Sequence, residues 1–367
     1  MLQKIILFSI KNKLIVGLMT LALVAWGMYN LTRLPIDAVP DITNNQVQII
    51  TVSPALGAQE VERLISFPVE LAVASVPEVI EIRSFSRFGL SLVTIVFEED
   101  TDIYWARQQI TEKLKDAEAQ IPPGLGTPTL APVTTGLGEI YQYELHPAPG
   151  YESRYSATEL RTIQDWIVRR QLLGTPGVAE VSSFGGKLKQ YEVALQPDKL
   201  RAMNITVTEV FNALQANNAN AGGAYIEKNP NAYFIRTEGL VRNAADIGKI
   251  VVKSTPAGVP VLIRDLAQVR EGSAIRYGAM VKDDEGEVAG GIVMMLKGEN
   301  SSRVIQQVKD KVEQIRKTLP EGVVLEPFLD RTKLVNRAIS TVQTNLAEGA
   351  LIVVFVLVQL LGNLRAG

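Results

Sequence analysis

The chain has 367 residues and a formal net charge of −2, and 47% of its residues are hydrophobic. The near-neutral charge and the lack of a basic cluster in the middle of the sequence argue against a nucleic-acid partner. Cysteine is absent, which excludes disulfides, thiolate metal sites and cysteine nucleophiles. The only histidine, His146, has no GxSxG motif to accompany it, so a serine hydrolase is not indicated. No cofactor is expected.

Two long apolar stretches lie near the two ends of the sequence. Residues 14–31 carry no charge, and a helix of that length spans roughly 27 Å, close to the hydrocarbon thickness of a bilayer. The stretch is longer than the apolar part of a signal peptide, and Trp26 and Tyr29 stand where cleavage would occur. We therefore predict an uncleaved anchor, and a second transmembrane helix at 349–361.

Charged residues beside these stretches predict the topology. Lys4, Lys11 and Lys13 precede the first stretch and Arg365 follows the second, so both ends are predicted to be cytoplasmic. Glu348 stands at the start of the second stretch. A carboxylate at the bilayer centre costs about 3 kcal/mol, so Glu348 either faces other helices or water as a functional residue, or reaches the outer interface.

The region after the first span has the pattern of one compact α+β unit. A connector broken by two prolines is predicted at 33–41. The predicted elements are a strand at 46–53, a helix at 58–75 with a kink or break at Pro68, strands at 79–85 and 90–98, a helix at 102–120 capped by Asp102, and a short strand near 129–133. This order is that of a ferredoxin-like unit.

The pattern then repeats with an insertion in its middle. The repeat consists of strand 139–145, helix 157–173, strand 178–184, strand 288–296, helix 302–318 and strand 323–329. The insertion, 187–269, contains a strand at 191–195, a helix at 207–216, and strands at 233–238 and 259–263. Between these elements, Asn- and Gly-rich sequence predicts an extended hairpin, which is either a mobile loop or an arm that packs on a neighbouring subunit. The candidate arm residues are Asn220, Gly222, Gly223, Tyr225 and Tyr233.

Six short motifs resemble those of the resistance-nodulation-division (RND) transporters, in particular the heavy-metal efflux subfamily of CzcA/CusA type. They are DAVPDIT at 37–43, YWAR at 104–107, GLGEIYQY at 136–143, LRTIQDW at 160–166, GVAEV at 177–181 and GNLRA at 362–366. Each motif alone is weak, but six in the right order along the whole chain are specific.

The resemblance implies a proton-driven cation exporter of the bacterial inner membrane. It implies a homotrimer that joins a periplasmic adaptor protein and an outer-membrane channel. The implied fold is an α+β membrane protein in which two transmembrane helices flank ferredoxin-like periplasmic porter subdomains with an inserted docking subdomain. The implied boundaries are 1–33 for the tail and first helix, 34–135 for porter subdomain PN1, 136–184 and 271–332 for the two halves of PN2, 185–270 for the docking subdomain DN, and 333–367 for the second helix of a truncated chain.

The resemblance also limits what can be assigned. It locates the proton-relay carboxylates and the main substrate residues beyond residue 367, so the metal ligands stay unknown. Arg83 matches a charged residue beside the periplasmic cleft, and it is either a substrate-path candidate with Glu348 or a solvated arginine at a strand end. Ile275 replaces a methionine expected in the copper/silver branch, and the strand alternation of Met294 and Met295 favours core packing over ligation.

Divalent zinc, cobalt, cadmium or nickel is therefore the expected cargo. The alternatives are a copper/silver pump, a multidrug RND pump, and a membrane-anchored periplasmic binding or scaffold protein that transports nothing.

Overall fold

The computed structural model of the protein describes residues 8, 11–31, 41–220, 222–236, 239–255, 258–276, 278–283 and 286–362. The proline-rich connector predicted at 33–41 lies outside the described residues except for Asp41, and Lys4 and Arg365 lie outside them altogether. Buried hydrophobic residues in the described part of the chain form three separate clusters. Each cluster is the core of one lobe.

The first lobe is an antiparallel four-stranded sheet packed against two helices. Its elements are β1 (Gln46–Val52), helix α2 (Ala58–Val61, Glu62–Ser66 and Phe67–Val73), β2 (Val79–Arg87), β3 (Leu90–Phe97), α3 (Ile103–Gln120) and β4 (Thr129–Leu130). The strand order is β2-β3-β1-β4. Alternate residues of β1, Val47 and Ile49, point into the core, where Ile65 and Ile110 of the two helices meet them. The six predicted elements are all present.

Helix α2 continues past Pro68, where the sequence predicts a kink or break. A π-helical turn, Glu62–Ser66, precedes the proline, and the N–H of Phe67 donates to the carbonyl of Glu62. Proline has no N–H to donate within the helix, and the wider turn accommodates this loss without ending the helix. The predicted cap of α3 is confirmed, since Asp102 Oδ1 accepts hydrogen bonds from the N–H groups of Tyr104 and Trp105 at 2.7 and 3.2 Å.

The second lobe repeats the strand order of the first. Its elements are β5 (Glu139–Pro147), helix α4 (Ala157–Ile163, Gln164–Val168 and Arg169–Leu172), β6 (Val178–Gly185), β13 (Met280–Lys282), β14 (Gly286–Met295), α9 (Ser301–Arg316) and β15 (Val323–Asp330). Strands β6, β14, β5 and β15 are neighbours in that order and all pairs are antiparallel. Helix α4, like α2, contains a π-helical turn, at Gln164–Val168. Strand β13, which pairs with the start of β14, was not predicted.

The insertion forms the third lobe and a hairpin. Its elements are β7 (Lys189–Leu195), α5 (Pro197–Ala202), α6 (Val207–Ala216), β8 (Gly222–Lys228), β9 (Asn231–Arg236), α7 (Ala244–Gly248), β10 (Val251–Ser254), β11 (Pro260–Leu262), α8 (Ile263–Leu266) and β12 (Ala267–Ser273). Strands β7 and β12 pair along their whole length, so one antiparallel ribbon carries the chain into and out of this lobe. The predicted hairpin is present as β8–β9, and residues 237 and 238 of the predicted strand 233–238 lie outside the described residues.

Two helices carry the apolar stretches. They are α1 (Lys13–Leu31) and α10 (Thr332–Leu361). By length and composition both are able to cross a membrane, and none of the residues in their apolar windows is buried. Helix α10 is longer than the apolar stretch at 349–361, because the amphipathic sequence before it is already helical.

Candidate functional site

A charged cluster lies on the face of the second sheet that the helices do not cover. Tyr143 and Leu145 of β5 are fully buried in the core beneath α4 and α9. Because strand residues alternate in direction, Glu144 and His146 point to the opposite face. Glu326 of β15 stands directly opposite Glu144 in the strand pairing, and Lys282 at the end of β13 completes the cluster.

Lys282 lies among the other three side chains. Its Nζ is 2.7 Å from Glu144 Oε1, 2.9 Å from Glu326 Oε2 and 3.5 Å from His146 Nε2. The Nε2 atom of His146 is 3.4 Å from Glu326 Oε2. Two carboxylates directly opposite each other on paired strands repel, so the ammonium group is what allows them to coexist.

Burial differs across the cluster. The Glu144 side chain is 6% exposed and that of Glu326 is 55% exposed, so the cluster begins under the sheet surface and opens to water. The hydrogen bonds to Glu144 and Glu326 raise the pKa of Lys282 above its usual range. The hydrogen bond from Lys282 lowers the pKa of Glu326. The lysine is therefore charged. The raised pKa of Lys282 and the lowered pKa of Glu326 both describe a stable ion pair at neutral pH.

Beside Glu144, two apolar side chains cover the uncovered face of the sheet because residue 290 is a glycine. Gly290 is the neighbour of Glu144 on β14, and a Cβ atom there would lie 2.8 Å from Met280 Sδ and 3.3 Å from Phe184 Cζ. The missing side chain lets these two apolar groups lie directly over the backbone. Of the two methionines on the same strand, Met295 is buried in the core and Met294 is half-buried on the other face, as the alternation predicts.

Sequence reasoning did not find this cluster. The spacing Glu144-x-His146 in a strand indicates that the two side chains share a face. Their partners, however, come from residues more than 130 positions further along the chain, and only the strand register brings Glu326 opposite Glu144.

The two substrate-path candidates lie on other elements. Arg83 is an exposed residue of β2, which is the edge strand of the first sheet. Glu348 is an exposed residue within α10, directly before the charge-free stretch. The structure does not bring either residue into the cluster of the second sheet, and their roles remain predictions.

The β8–β9 hairpin exposes an apolar surface. Tyr225 pairs with Phe234 and Ile226 pairs with Tyr233. Their exposed fractions are 55%, 81%, 56% and 56% in that order. Asn220, before the hairpin, accepts a hydrogen bond from the N–H of Gly239 after it, at 3.1 Å. This bond links the two chain segments at the base of the hairpin. The first strand of the hairpin begins with the candidate arm residues Gly222 and Gly223, and its aromatic side chains stay exposed.

Two antiparallel α+β lobes with the same strand order, a third inserted lobe, and two helices of membrane-spanning length form part of the fold of the RND efflux pumps. The crystal structure of a heavy metal efflux pump superposes on 97% of this chain with a TM-score of 0.83 at 35% sequence identity, and the matched part is 35% of that protein. The AcrB/AcrD/AcrF family model matches residues 5–367, and the chain belongs to this family.

Curated relatives align along the whole chain. Protein HelA of Legionella pneumophila is 48% identical over 368 residues. The cobalt-zinc-cadmium resistance protein CzcA of Cupriavidus metallidurans is 42% identical over 370 residues, and the cation efflux system protein CusA of Escherichia coli K12 is 38% identical over 366 residues. Each alignment includes all of this chain but only 34–35% of the relative, so the chain spans about a third of the length of these proteins.

Proposed function

We propose that this chain is the N-terminal part of a proton-driven RND permease that exports divalent heavy-metal cations of the zinc, cobalt, cadmium and nickel class. The observation that carries the proposal is the 42% identity to a cobalt-zinc-cadmium resistance protein along the entire chain. Carboxylate and imidazole groups suit these ions, whereas copper(I) and silver prefer thioethers. The half-buried or buried state of Met294 and Met295 agrees with a path that is not built from methionine.

The three lobes support the subdomain assignment. The common strand order of the first and second lobes is that of a ferredoxin-like unit, so we interpret them as porter subdomains PN1 (34–135) and PN2 (136–184 and 271–332). The third lobe, entered and left through the β7–β12 ribbon, is then the docking subdomain DN (185–270). In this interpretation the β8–β9 hairpin is an arm that inserts into the next protomer of a homotrimer.

The trimer is proposed to work in the bacterial inner membrane with a periplasmic adaptor and an outer-membrane channel. Helices α1, in the predicted segment 1–33, and α10 (Thr332–Leu361), which takes up most of the predicted segment 333–367, are proposed to anchor the lobes in the membrane, with the lobes in the periplasm. Arg83 and Glu348 are proposed as residues of the substrate path or its coupling.

Metal resistance tests the function directly. A host that lacks its own RND metal pumps is given the intact gene, and growth is measured across zinc, cobalt, cadmium, nickel, copper and silver. We expect protection against one or more of the first four. Protection limited to copper and silver, or to organic drugs, would assign one of the alternative pumps, and no protection with a normally folded, membrane-located protein would favour a scaffold.

The topology is tested by cysteine labelling, because the native chain contains no cysteine. Lys199→Cys introduces an exposed thiol in the third lobe, and Lys11→Cys introduces a matched exposed thiol before α1. A membrane-impermeant maleimide applied to spheroplasts should label the former and spare the latter until the membrane is opened. The reverse pattern would contradict the proposed orientation.

A further inference from the structure

Three ligand atoms converge in the cluster on the second sheet. One donor atom each of Glu144, His146 and Glu326 lies within 4.8 Å of the others. We propose that these three residues bind a divalent transition-metal cation, and that the Lys282 ammonium occupies the position of this cation until the metal displaces it. The proposal concerns the chain's own donor atoms and holds whether or not the longer protein exports metal.

The imidazole of His146 is oriented as a metal ligand. Its Nδ1 is 3.0 Å from the carbonyl oxygen of Pro147. A carbonyl only accepts, so Nδ1 carries the proton and, in the neutral ring, Nε2 presents its lone pair to the cluster. A backbone carbonyl that fixes the tautomer in this way is the usual outer partner of a metal-bound histidine.

The donor atoms of His146 and Glu326 have the spacing of a tetrahedral zinc site. Bonds of about 2.0–2.1 Å to zinc place tetrahedral ligands about 3.3–3.4 Å apart. The separation of His146 Nε2 and Glu326 Oε2 is 3.4 Å. Lys282 Nζ lies within 3.5 Å of all three donor residues, so a cationic group already occupies the space between them.

The charge of the cluster also fits. Two carboxylates and a neutral imidazole carry a formal charge of −2. A single lysine neutralises half of this charge, and a divalent ion neutralises all of it. With nitrogen and oxygen donors only, the site suits zinc, cobalt or nickel and not copper(I) or silver. Water reaches the cluster at the Glu326 side, which is 55% exposed, and the lysine side chain, 20% exposed on a flexible four-carbon stem, has room to leave there.

The single histidine of the chain provides a direct readout. The full-length chain is purified in detergent through a histidine-free tag, and zinc chloride is titrated while long-range proton–nitrogen NMR follows the imidazole. Any imidazole signal belongs to His146, so no assignment is needed. A saturable shift of the Nε2 resonance is expected. An Nε2 resonance that does not move at millimolar zinc, in both the native chain and Lys282→Met, would overturn the proposal.

The variants separate a metal site from a structural ion pair. Lys282→Met removes the competing ammonium and should tighten zinc binding tenfold or more. Glu326→Gln removes a ligand and should weaken binding by at least the roughly 10–100-fold that loss of an outer-shell partner costs. Lys253→Met is the matched control, because Lys253 forms a 2.9 Å pair with Glu209 in the third lobe and its loss should leave zinc affinity unchanged.

Folding of the lysine variant is followed by thermal unfolding with and without zinc. Lys282→Met leaves Glu144 buried without a counter-ion, so the variant should be less stable than the native chain without metal and recover with zinc. Weaker zinc binding by Lys282→Met, or no recovery, would show that the lysine is only a structural partner. If the variant does not fold, the native titration and Glu326→Gln still decide the question.

Discussion

The hydrogen bond between Tyr143 and Gln164 inside the second lobe gives the sharpest stability prediction. Both side chains are fully buried, and Tyr143 Oη donates to Gln164 Oε1 at 3.0 Å. Burial raises the pKa of Tyr143 well above its usual range, so the hydroxyl keeps its proton at every working pH. Tyr143→Phe keeps the ring and its apolar burial but leaves Gln164 Oε1 without a donor. An orphaned buried acceptor costs about 1–3 kcal/mol, which is the loss expected in the free energy of unfolding of this lobe.

The natural tryptophans allow unfolding of the second lobe to be followed separately. Trp166 lies in the π-helical turn beside Gln164, and Trp26 and Trp105 lie in other elements. With these two replaced by Phe, denaturant unfolding in detergent followed by fluorescence reports on the second lobe. Tyr151→Phe is the matched control, since its hydroxyl bonds the exposed Glu321 and its loss should change stability by less than about 0.5 kcal/mol.

A double variant tests the cause of the loss. In Tyr143→Phe combined with Gln164→Met neither of these two partners is left unsatisfied, so part of the loss should be recovered. The recovery is incomplete because Gln164→Met also removes the 3.2 Å hydrogen bond that Gln164 Nε2 donates to Ser183 Oγ. A loss below about 0.5 kcal/mol in the single variant, or no recovery in the double one, would refute the assignment of the cost to the orphaned amide oxygen.

Three further results are expected. The pKa of Glu209 is lowered from 4.5 to about 2, chiefly by the hydrogen bond from the N–H of Thr206. The stabilisation of α6 by this carboxylate is therefore complete above pH 4.5, declines below it, and is lost as the pH falls through 2. The difference in unfolding midpoint between the native chain and Glu209→Gln should follow that course, and a difference that does not shrink between pH 4.5 and pH 2 would contradict it. Gly126→Ala should destabilise the first lobe more than Gly124→Ala, because both have positive φ but only the former would bring a Cβ within 2.5 Å of a β1 carbonyl oxygen; equal denaturation midpoints would argue against this. Tyr225→Ser should leave the far-ultraviolet circular dichroism unchanged, since the side chain is exposed, and should reduce the trimer fraction of the full-length protein in light scattering if the hairpin is an inter-subunit arm.

Local sequence was sufficient for the secondary structure of the first lobe and for all of the second except β13. In the third lobe it missed the short elements α5, α7, β10, α8 and β12. Proline, glycine and strand alternation define most element ends, and each depends only on a few neighbouring residues. The hairpin was predictable for the same reason. The π-helical turn before Pro68 was not, because a proline in a helical pattern indicates a disruption without saying how the backbone accommodates it.

By itself, the sequence of this protein determined where its apolar helices, its repeated α+β pattern and its insertion lie, since periodicity and composition are properties of short segments. Only the tertiary structure decided which strands are neighbours and which side chains meet. Strand β13 is three residues long and has no periodicity to detect, yet it carries Lys282 to Glu144. The cluster of Glu144, His146, Lys282 and Glu326 exists because long-range strand register places them on one face, and register is set by the packing of the whole lobe.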